Sequence, residues 1–215
     1  MSEEGIVYVV DDDAAVRESL VWLLGSVGLR AIPFASASAS AFLDRYEDNG
    51  CCCLVSDVRM PGMSGLELQK ALNARGIELP LILMTAFGDV STAVTAMKAG
   101  AVDFIEKPFN NQNMLDLINA ALQADAARRK SKAAEVENAQ LLARLTPQEH
   151  RVFERVAAGL SNREIGSEMD ISIKTVEVHR ARVMRKLEAN SVAELVRFHL
   201  HNAPSGEGDG GGTGP

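Results

Sequence analysis

Asp11, Asp12 and Asp13 directly follow an apolar run at residues 6–10, and Asp57 directly follows another at 51–56. Thr85 ends a third run, 80–84, and Lys107 follows a fourth, 102–105, immediately before Pro108. Three or more carboxylates brought together repel one another unless a hard cation such as Mg²⁺ relieves them. A carboxylate nucleophile, a divalent cation, an ammonium and a hydroxyl donor are together the equipment of phosphoryl transfer. Singly, each residue has a plainer explanation. Asp13 ahead of Ala14-Ala15-Val16 reads as a helix N-cap, and a threonine at a strand end or a lysine before proline is ordinarily structural or solvated. Their joint placement at the ends of successive apolar runs points to chemistry.

Those ends meet only if the runs are strands of one sheet. Residues 6–10, 30–34, 51–56, 80–84 and 102–105 read as strands, and amphipathic helices are expected at about 14–27, 37–47, 64–75, 89–99 and 111–125. Several strands are apolar at consecutive positions, as parallel strands covered on both faces are. Five such units predict an α/β fold with a flavodoxin-like, doubly wound, five-stranded parallel sheet. Strands one and three then flank the switch point, where ligands bind beyond the carboxyl ends. Asp11, Asp12, Asp13 and Asp57 are expected in one crevice, with Thr85 and Lys107 at its edge.

The rest of the chain has a different character. From about Ala120 to Arg144 it is rich in Ala, Glu, Gln, Lys and Arg without Gly or Pro, which predicts a continuous helical linker. Leu122, Ala126, Ala133, Val136 and Leu141 form a poor heptad that offers a weak helix–helix seam. Beyond it, Thr146-Pro147-Gln148-Glu149 is a capping box with proline at the first helical position. Ser161-Asn162-Arg163-Glu164, Ser172-Ile173-Lys174-Thr175 and Ser191-Val192-Ala193-Glu194 open three more short helices, making an all-α bundle of four. The boundaries read as residues 1–123, a linker at 124–143, a helical domain at 144–202, and a Gly-rich tail at 203–215 expected to be disordered.

Between the second and third of these helices Asp170-Ile171-Ser172 is a tight connection of the helix-turn-helix kind. In the third, Ile173, Val176, Val183 and Leu187 form one apolar stripe expected in the core. Lys174, Glu177, Val178, Ala181, Arg182 and Arg185 lie opposite, a small and mostly basic face that suits a DNA major groove.

The motifs bear family resemblances. Val9-Val10-Asp11-Asp12-Asp13, Ser56-Asp57-Val58-Arg59-Met60-Pro61-Gly62, Met84-Thr85-Ala86 and 99–109 (Ala-Gly-Ala-Val-Asp-Phe-Ile-Glu-Lys-Pro-Phe) resemble the receiver domain of two-component response regulators over about residues 4–125. Leu145-Thr146-Pro147-Gln148-Glu149, 159–165 and 172–180 resemble the LuxR-type helix-turn-helix over about 143–200. The whole chain is similar to regulators of the FixJ/NarL type.

The receiver resemblance implies that Asp57 is phosphorylated by a sensor histidine kinase. It implies Mg²⁺ held by Asp12, Asp57 and the Arg59 carbonyl, with Asp11 acting through water. Lys107 would pair with the phosphoryl group ahead of a cis Lys107–Pro108 bond, and Thr85 and Phe104 would be the switch pair. Arg59 and Phe87 stand where the family tunes phosphoryl lifetime, and slow self-dephosphorylation is expected. Glu177, Val178 and Ala181 project outward near the start of the third helix and are expected at base edges, a glutamate accepting from cytosine N4, with Lys174, Thr175, His179, Arg182 and Arg185 better suited to the DNA backbone. Two departures stand out: Gln148, where arginine is common, and Gly166, where alanine is usual.

Composition sets the remaining expectations. The 215 residues are 47% apolar and 24% charged with a net charge of −7, the balance of a globular protein. Residues 1–122 hold 16 acidic and 8 basic side chains, whereas residues 128–190 hold 9 and 13, so two domains with different partners are expected. No apolar run approaches bilayer length and the N-terminus has no secretion signal, which predicts a cytoplasmic protein with no membrane partner. Cys51-Cys52-Cys53 fits no zinc spacing and reads as the opening of a buried strand.

The function expected is a phosphorylation-dependent, DNA-binding transcription regulator, homodimeric when phosphorylated and able to engage RNA polymerase. It is not expected to be an enzyme. The alternatives are a constitutive DNA-binding regulator whose receiver mediates protein contacts, and an aspartyl-phosphate phosphatase. The latter is disfavoured because Arg59, not an acid, stands two residues beyond Asp57. No phosphate-binding loop of the G-x-x-x-x-G-K-[ST] kind is present, which excludes an ATP-driven activator.

Overall fold

The computed structural model describes residues 5–35, 39–48, 50–86 and 90–202. Two compact units divide the chain between Arg129 and Lys130.

The first is the five-stranded parallel α/β sheet. Strands β1 (Ile6–Asp11), β2 (Arg30–Ala35), β3 (Cys52–Asp57), β4 (Leu81–Thr85) and β5 (Asp103–Glu106) pair in the order β2-β1-β3-β4-β5, every neighbour parallel. That is the flavodoxin-like order. Helices α1 (Ala14–Ser26), α2 (Ala39–Arg45), α3 (Gly65–Ala74) and α4 (Val90–Lys98) connect the strands, and α5 (Asn111–Leu142) follows β5. The central strands are buried at every position of β3 and β4, so their runs are apolar rather than alternating. Two cores follow from the pleat, because successive residues face opposite sides. Cys52, Leu54 and Leu83 pack with Phe42 and Leu68 on one face, and Cys53, Val55 and Met84 with Leu24, Met114 and Ile118 on the other.

All three cysteines are free and buried, as a strand opening requires. Asp13 caps α1, accepting from the Ala15 amide at 2.8 Å. The expected starts of the second and fourth helices, near residues 37 and 89, lie outside the described residues, as do Phe87 and the tail.

The second unit holds α6 (Pro147–Ala157), α7 (Asn162–Met169), α8 (Ile173–Lys186) and α9 (Val192–Asn202). Each begins where the capping residues place it: Thr146 and Ser161 close full capping boxes with Glu149 and Glu164, and Ser172 caps α8 through the Thr175 amide. The Ser191 hydroxyl likewise accepts from the Glu194 amide at 3.2 Å. Val152, Phe153, Ile165, Val176, Val183, Leu187 and Leu195 form the core. One expected core residue fails: Ile173 is 49% exposed. It is the first residue of α8, where no preceding turn covers it, and Ile171 packs on the core from the connection instead.

The linker is helical, but not as a separate element: α5 runs unbroken from Asn111 to Leu142. The proposed seam along it is not continuous. Leu122 belongs to the first unit's core and Leu141 to the second's, which leaves only Ala126, Ala133 and Val136 exposed between them. Among the described residues no helix is long and apolar enough to cross a membrane.

Candidate phosphoryl-acceptor site and nucleic-acid interface

At the carboxyl ends of β1 and β3 two carboxylates are withdrawn from water. Asp11 is wholly buried and Asp57 is 6% exposed. Lys107, just past β5, bridges them: its Nζ donates to Asp11 Oδ2 and to Asp57 Oδ1, each at 2.6 Å. Three tight backbone connections fix the three groups. Asp11 Oδ1 accepts the Asp13 amide at 2.9 Å, Asp57 Oδ2 accepts the Arg59 amide at 2.7 Å, and the Lys107 amide donates to the Thr85 carbonyl at 2.6 Å. The Lys107–Pro108 bond is cis. Thr85 is buried at the end of β4, beside β5, and Phe104 is half-buried against the core that includes Leu83.

The electrostatics are unbalanced. Burial raises the Asp11 carboxyl above its ordinary value, and the neighbouring Asp57 charge adds to the rise, while the Lys107 hydrogen bond opposes it. Burial alone would lower the Lys107 ammonium, yet its hydrogen bonds to Asp11 and Asp57 raise it overall. Two buried carboxylates share the ammonium of Lys107, and the Arg17 guanidinium donates to the Asp11 backbone carbonyl at 2.7 Å.

The expected crevice of four carboxylates is therefore smaller. Asp12 and Asp13 are exposed, Asp13 is committed to its cap, and the described residues contain no group of three acids, histidines or cysteines placed to hold a metal. The physical reason is desolvation: a third buried carboxylate facing a single ammonium would cost several kcal/mol. The receiver resemblance implies Mg²⁺. Asp11 and Asp57 would offer that hard ion carboxylate oxygens, and the exposed Asp12 lies one residue beyond Asp11.

One site residue escaped the sequence reading. Gly65 opens α3, its amide donating to the Val58 carbonyl at 3.0 Å, and a Cβ there would stand 2.3 Å from the Asp57 carbonyl oxygen. A glycine in the first turn of a helix, where it is a poor former, was the available signal.

In the second unit, α8 presents the face the spacing foretells. Lys174, Glu177, Val178, Ala181, Arg182 and Arg185 are exposed, and Thr175 and His179 are half-buried. The other cations of the helix are engaged inward. Arg180 donates to Asn162 Oδ1 at 2.7 Å, tying α8 to α7, and Lys186 donates to Glu149 Oε2 at 2.6 Å. Gly166 shows why alanine is absent: a Cβ there would lie 2.9 Å from the Ile171 carbonyl oxygen. The connection closes on α7 through Asp170, which adopts the left-handed conformation at φ 54°, and the Ile171 amide donates to the Gly166 carbonyl at 3.0 Å.

Residues 7–119 match the family model described as Response regulator receiver domain, and residues 143–199 match Bacterial regulatory proteins, luxR family. This chain belongs to the response regulator family. Transcriptional regulatory protein FixJ of Bradyrhizobium diazoefficiens is 47% identical to this regulator over 200 residues, covering 93% of this chain and 97% of that one. Transcriptional regulatory protein TdiR of Thauera aromatica is 44% identical, covering 92% and 86%. Among solved structures, response regulator StyR aligns with a TM-score of 0.82 at 42% identity, covering 92% and 99%, and full-length FixJ from B. japonicum with 0.58 at 46%, covering 93% and 98%.

Proposed function

We propose that this regulator is a phosphorylation-controlled transcription factor: Asp57 accepts a phosphoryl group from a sensor histidine kinase, and the modification tightens binding of α8 to double-stranded promoter DNA. One observation carries the reading. A buried Asp57, bridged by Lys107 to Asp11, shares its chain with a helix-turn-helix whose outer face is exposed and mostly basic.

In the transfer, an Asp57 carboxylate oxygen forms the P–O bond as the P–N bond to the donor histidine breaks, leaving the histidine ring as the departing group. Asp57, Asp12 and the Arg59 carbonyl would hold Mg²⁺, with Asp11 acting through water, and the ion would neutralise phosphoryl charge. Lys107 exchanges its contact with Asp57 for a phosphoryl oxygen. Thr85 supplies a hydroxyl to another, and Phe104 turns into the space that Thr85 leaves. The phosphoryl group adds about −1.5 to −2 charges, enough to draw both donors inward. Slow self-dephosphorylation resets the switch.

On DNA, Glu177, Val178 and Ala181 face base edges, while Lys174, Thr175, His179, Arg182 and Arg185 meet the backbone. The phosphorylated form acts as a homodimer in the cytoplasm and engages RNA polymerase there.

The test is binding to a DNA duplex selected by the wild type, with and without a small phosphodonor and Mg²⁺, for wild type and Asp57→Asn. The expected result is a gain of about tenfold in the wild type and none in Asp57→Asn. An equal gain in both sinks the assignment of Asp57.

A further inference from the structure

A second buried carboxylate stands at the opposite end of β3 from Asp57, and phosphoryl chemistry makes no use of it. Asp125, on α5, is wholly buried. Its Oδ2 accepts the backbone amide of Cys52, the first residue of β3, at 3.0 Å and Arg129 Nε at 2.6 Å. Its Oδ1 accepts from Arg128 Nη2 at 2.5 Å and Nε at 3.2 Å. Both guanidiniums reach further: Arg128 Nη1 donates to Glu78 at 2.6 Å, and Arg129 Nη2 to Asp48, ahead of β3. Cys51 Sγ donates to the Leu122 carbonyl at 3.0 Å, one turn earlier on the same helix.

This is more than fastening the last helix of the sheet requires. An apolar residue at position 125 would bury more cheaply than an ion cluster, because taking a carboxylate out of water costs several kcal/mol before its partners return it. What the ions add is direction. Apolar contacts tolerate a helix rolling by some tens of degrees. The Asp125–Arg128 and Asp125–Arg129 pairs lie within α5 and turn with it. The bonds that leave the helix, from Asp125 to the Cys52 amide, from Arg128 to Glu78 and from Arg129 to Asp48, hold one azimuth. Among the described residues, α5 carries no further buried charged side chain beyond Arg129. Residues 130–137 are all exposed, and the next buried side chain is Leu141. The rotational phase with which the helix leaves the sheet is thus decided at Asp125.

We propose that Asp125, with Arg128 and Arg129, is a phase clamp: it fixes the rotation of α5 against the amino end of β3, and this fixed phase couples Asp57 phosphorylation to DNA binding. The proposal rests on the functional reading above. Asp125 touches neither phosphoryl group nor DNA, so it is a positioning residue, and its signature is lost coupling with both partial activities intact.

Two full-chain experiments test it, each reading phosphoryl uptake from a small phosphodonor and affinity for the wild-type-selected duplex before and after uptake. Asp125→Asn keeps the shape of the side chain and removes its charge. Uptake and unphosphorylated affinity should stay within about twofold, while the phosphorylation-induced gain falls about tenfold. Insertions of alanines after Ala133 ask about phase without touching the cluster. Five residues turn the helix about 140° out of phase, and seven leave it within about 20°. The seven-residue insertion should keep the gain and the five-residue one should lose it. A wild-type gain in Asp125→Asn, or equal behaviour of the two insertions, overturns the clamp. Should Asp125→Asn fail to fold, the insertions decide alone. A wild type that takes up phosphoryl with no gain on DNA fails earlier, at the functional reading, and is told apart by that control.

Discussion

Buried aspartate side chains stand at both ends of strand β3, Asp11 and Asp57 at its carboxyl end and Asp125 of α5 at its amino end, and the two ends are built on opposite principles. At the carboxyl end, Asp11 and Asp57 compete for the single ammonium of Lys107. At the amino end, the single buried carboxylate of Asp125 is served by two guanidiniums and a backbone amide. Both Asp11 and Asp125 are wholly buried, yet burial prevails at Asp11 and raises its carboxyl. At Asp125 burial pushes the same way, but the Arg129, Cys52 and Arg128 hydrogen bonds outweigh it and the carboxyl is lowered. The cluster in which burial prevails is the one proposed to receive a cation and a phosphoryl group, and the one whose carboxylate is fully partnered is the one proposed to hold a helix still.

The sharpest way to break this comparison is to remove one carboxylate from each end. Asp125→Ala leaves two guanidiniums and the Cys52 amide without their shared partner, and should cost the first unit about 3 kcal/mol. Asp11→Asn removes one of two buried competitors for Lys107, which keeps Asp57 as its partner, and should cost less than Asp125→Ala. Urea unfolding of the full chain, resolved by hydrogen exchange at the β3 amides, measures both. Equal losses would mean that the two clusters do the same mechanical work.

Sequence reading reached these ends unequally, for physical reasons. The sheet was legible because strands buried on both faces are apolar without a break, as residues 52–55 and 81–84 are. Asp57 was legible because a strand's end is where its chain order places it. The sidedness of Asp11 against Asp12 was not, since it depends on which face each residue takes as the strand gives way to α1. Asp125 was invisible: Cys52 is 73 residues away and Asp48 is 81 from Arg129, and Asp125 sits where the linker's polar composition begins. Helix starts in the second unit were the most legible, because a capping box is complete within four residues.

Glycine offers a second, smaller contrast between the units. Gly65 and Gly166 each admit a close backbone approach, but at 2.3 Å from the Asp57 carbonyl the added methyl of Gly65→Ala meets the backbone of Asp57 itself, against 2.9 Å from the Ile171 carbonyl for Gly166→Ala. Gly65→Ala should destabilise by about 2–3 kcal/mol and slow phosphoryl uptake. Gly166→Ala regains about 1 kcal/mol of helix propensity against about 1–2 kcal/mol of overpacking, a net near zero with weakened DNA affinity. Thermal unfolding and the two functional assays decide; a Gly65→Ala with normal uptake would show that α3 yields without moving Asp57.

Acid separates the units by the smallest step. Glu149 is 2% exposed and accepts from Lys186 Nζ at 2.6 Å and from the Thr146 amide at 2.8 Å. The Lys186 contact, then the cap, pushes its carboxyl down to about 2, against about 4.3 for an unfolded glutamate. Between those values the folded second unit binds fewer protons than the unfolded chain. The stabilisation is therefore complete above pH about 4.3 and is lost as pH falls toward 2. Asp11 runs the other way, because a raised folded carboxyl contributes at low pH and loses its contribution as pH climbs through the shifted value. Glu149→Gln should cost about 1–2 kcal/mol at neutral pH and flatten the acid limb of the second unit while leaving the β3 amides' exchange unchanged. If that limb keeps its slope, Lys186 and Glu149 are a surface contact, and the second unit has no charge pair to set beside the saturated cluster of the first.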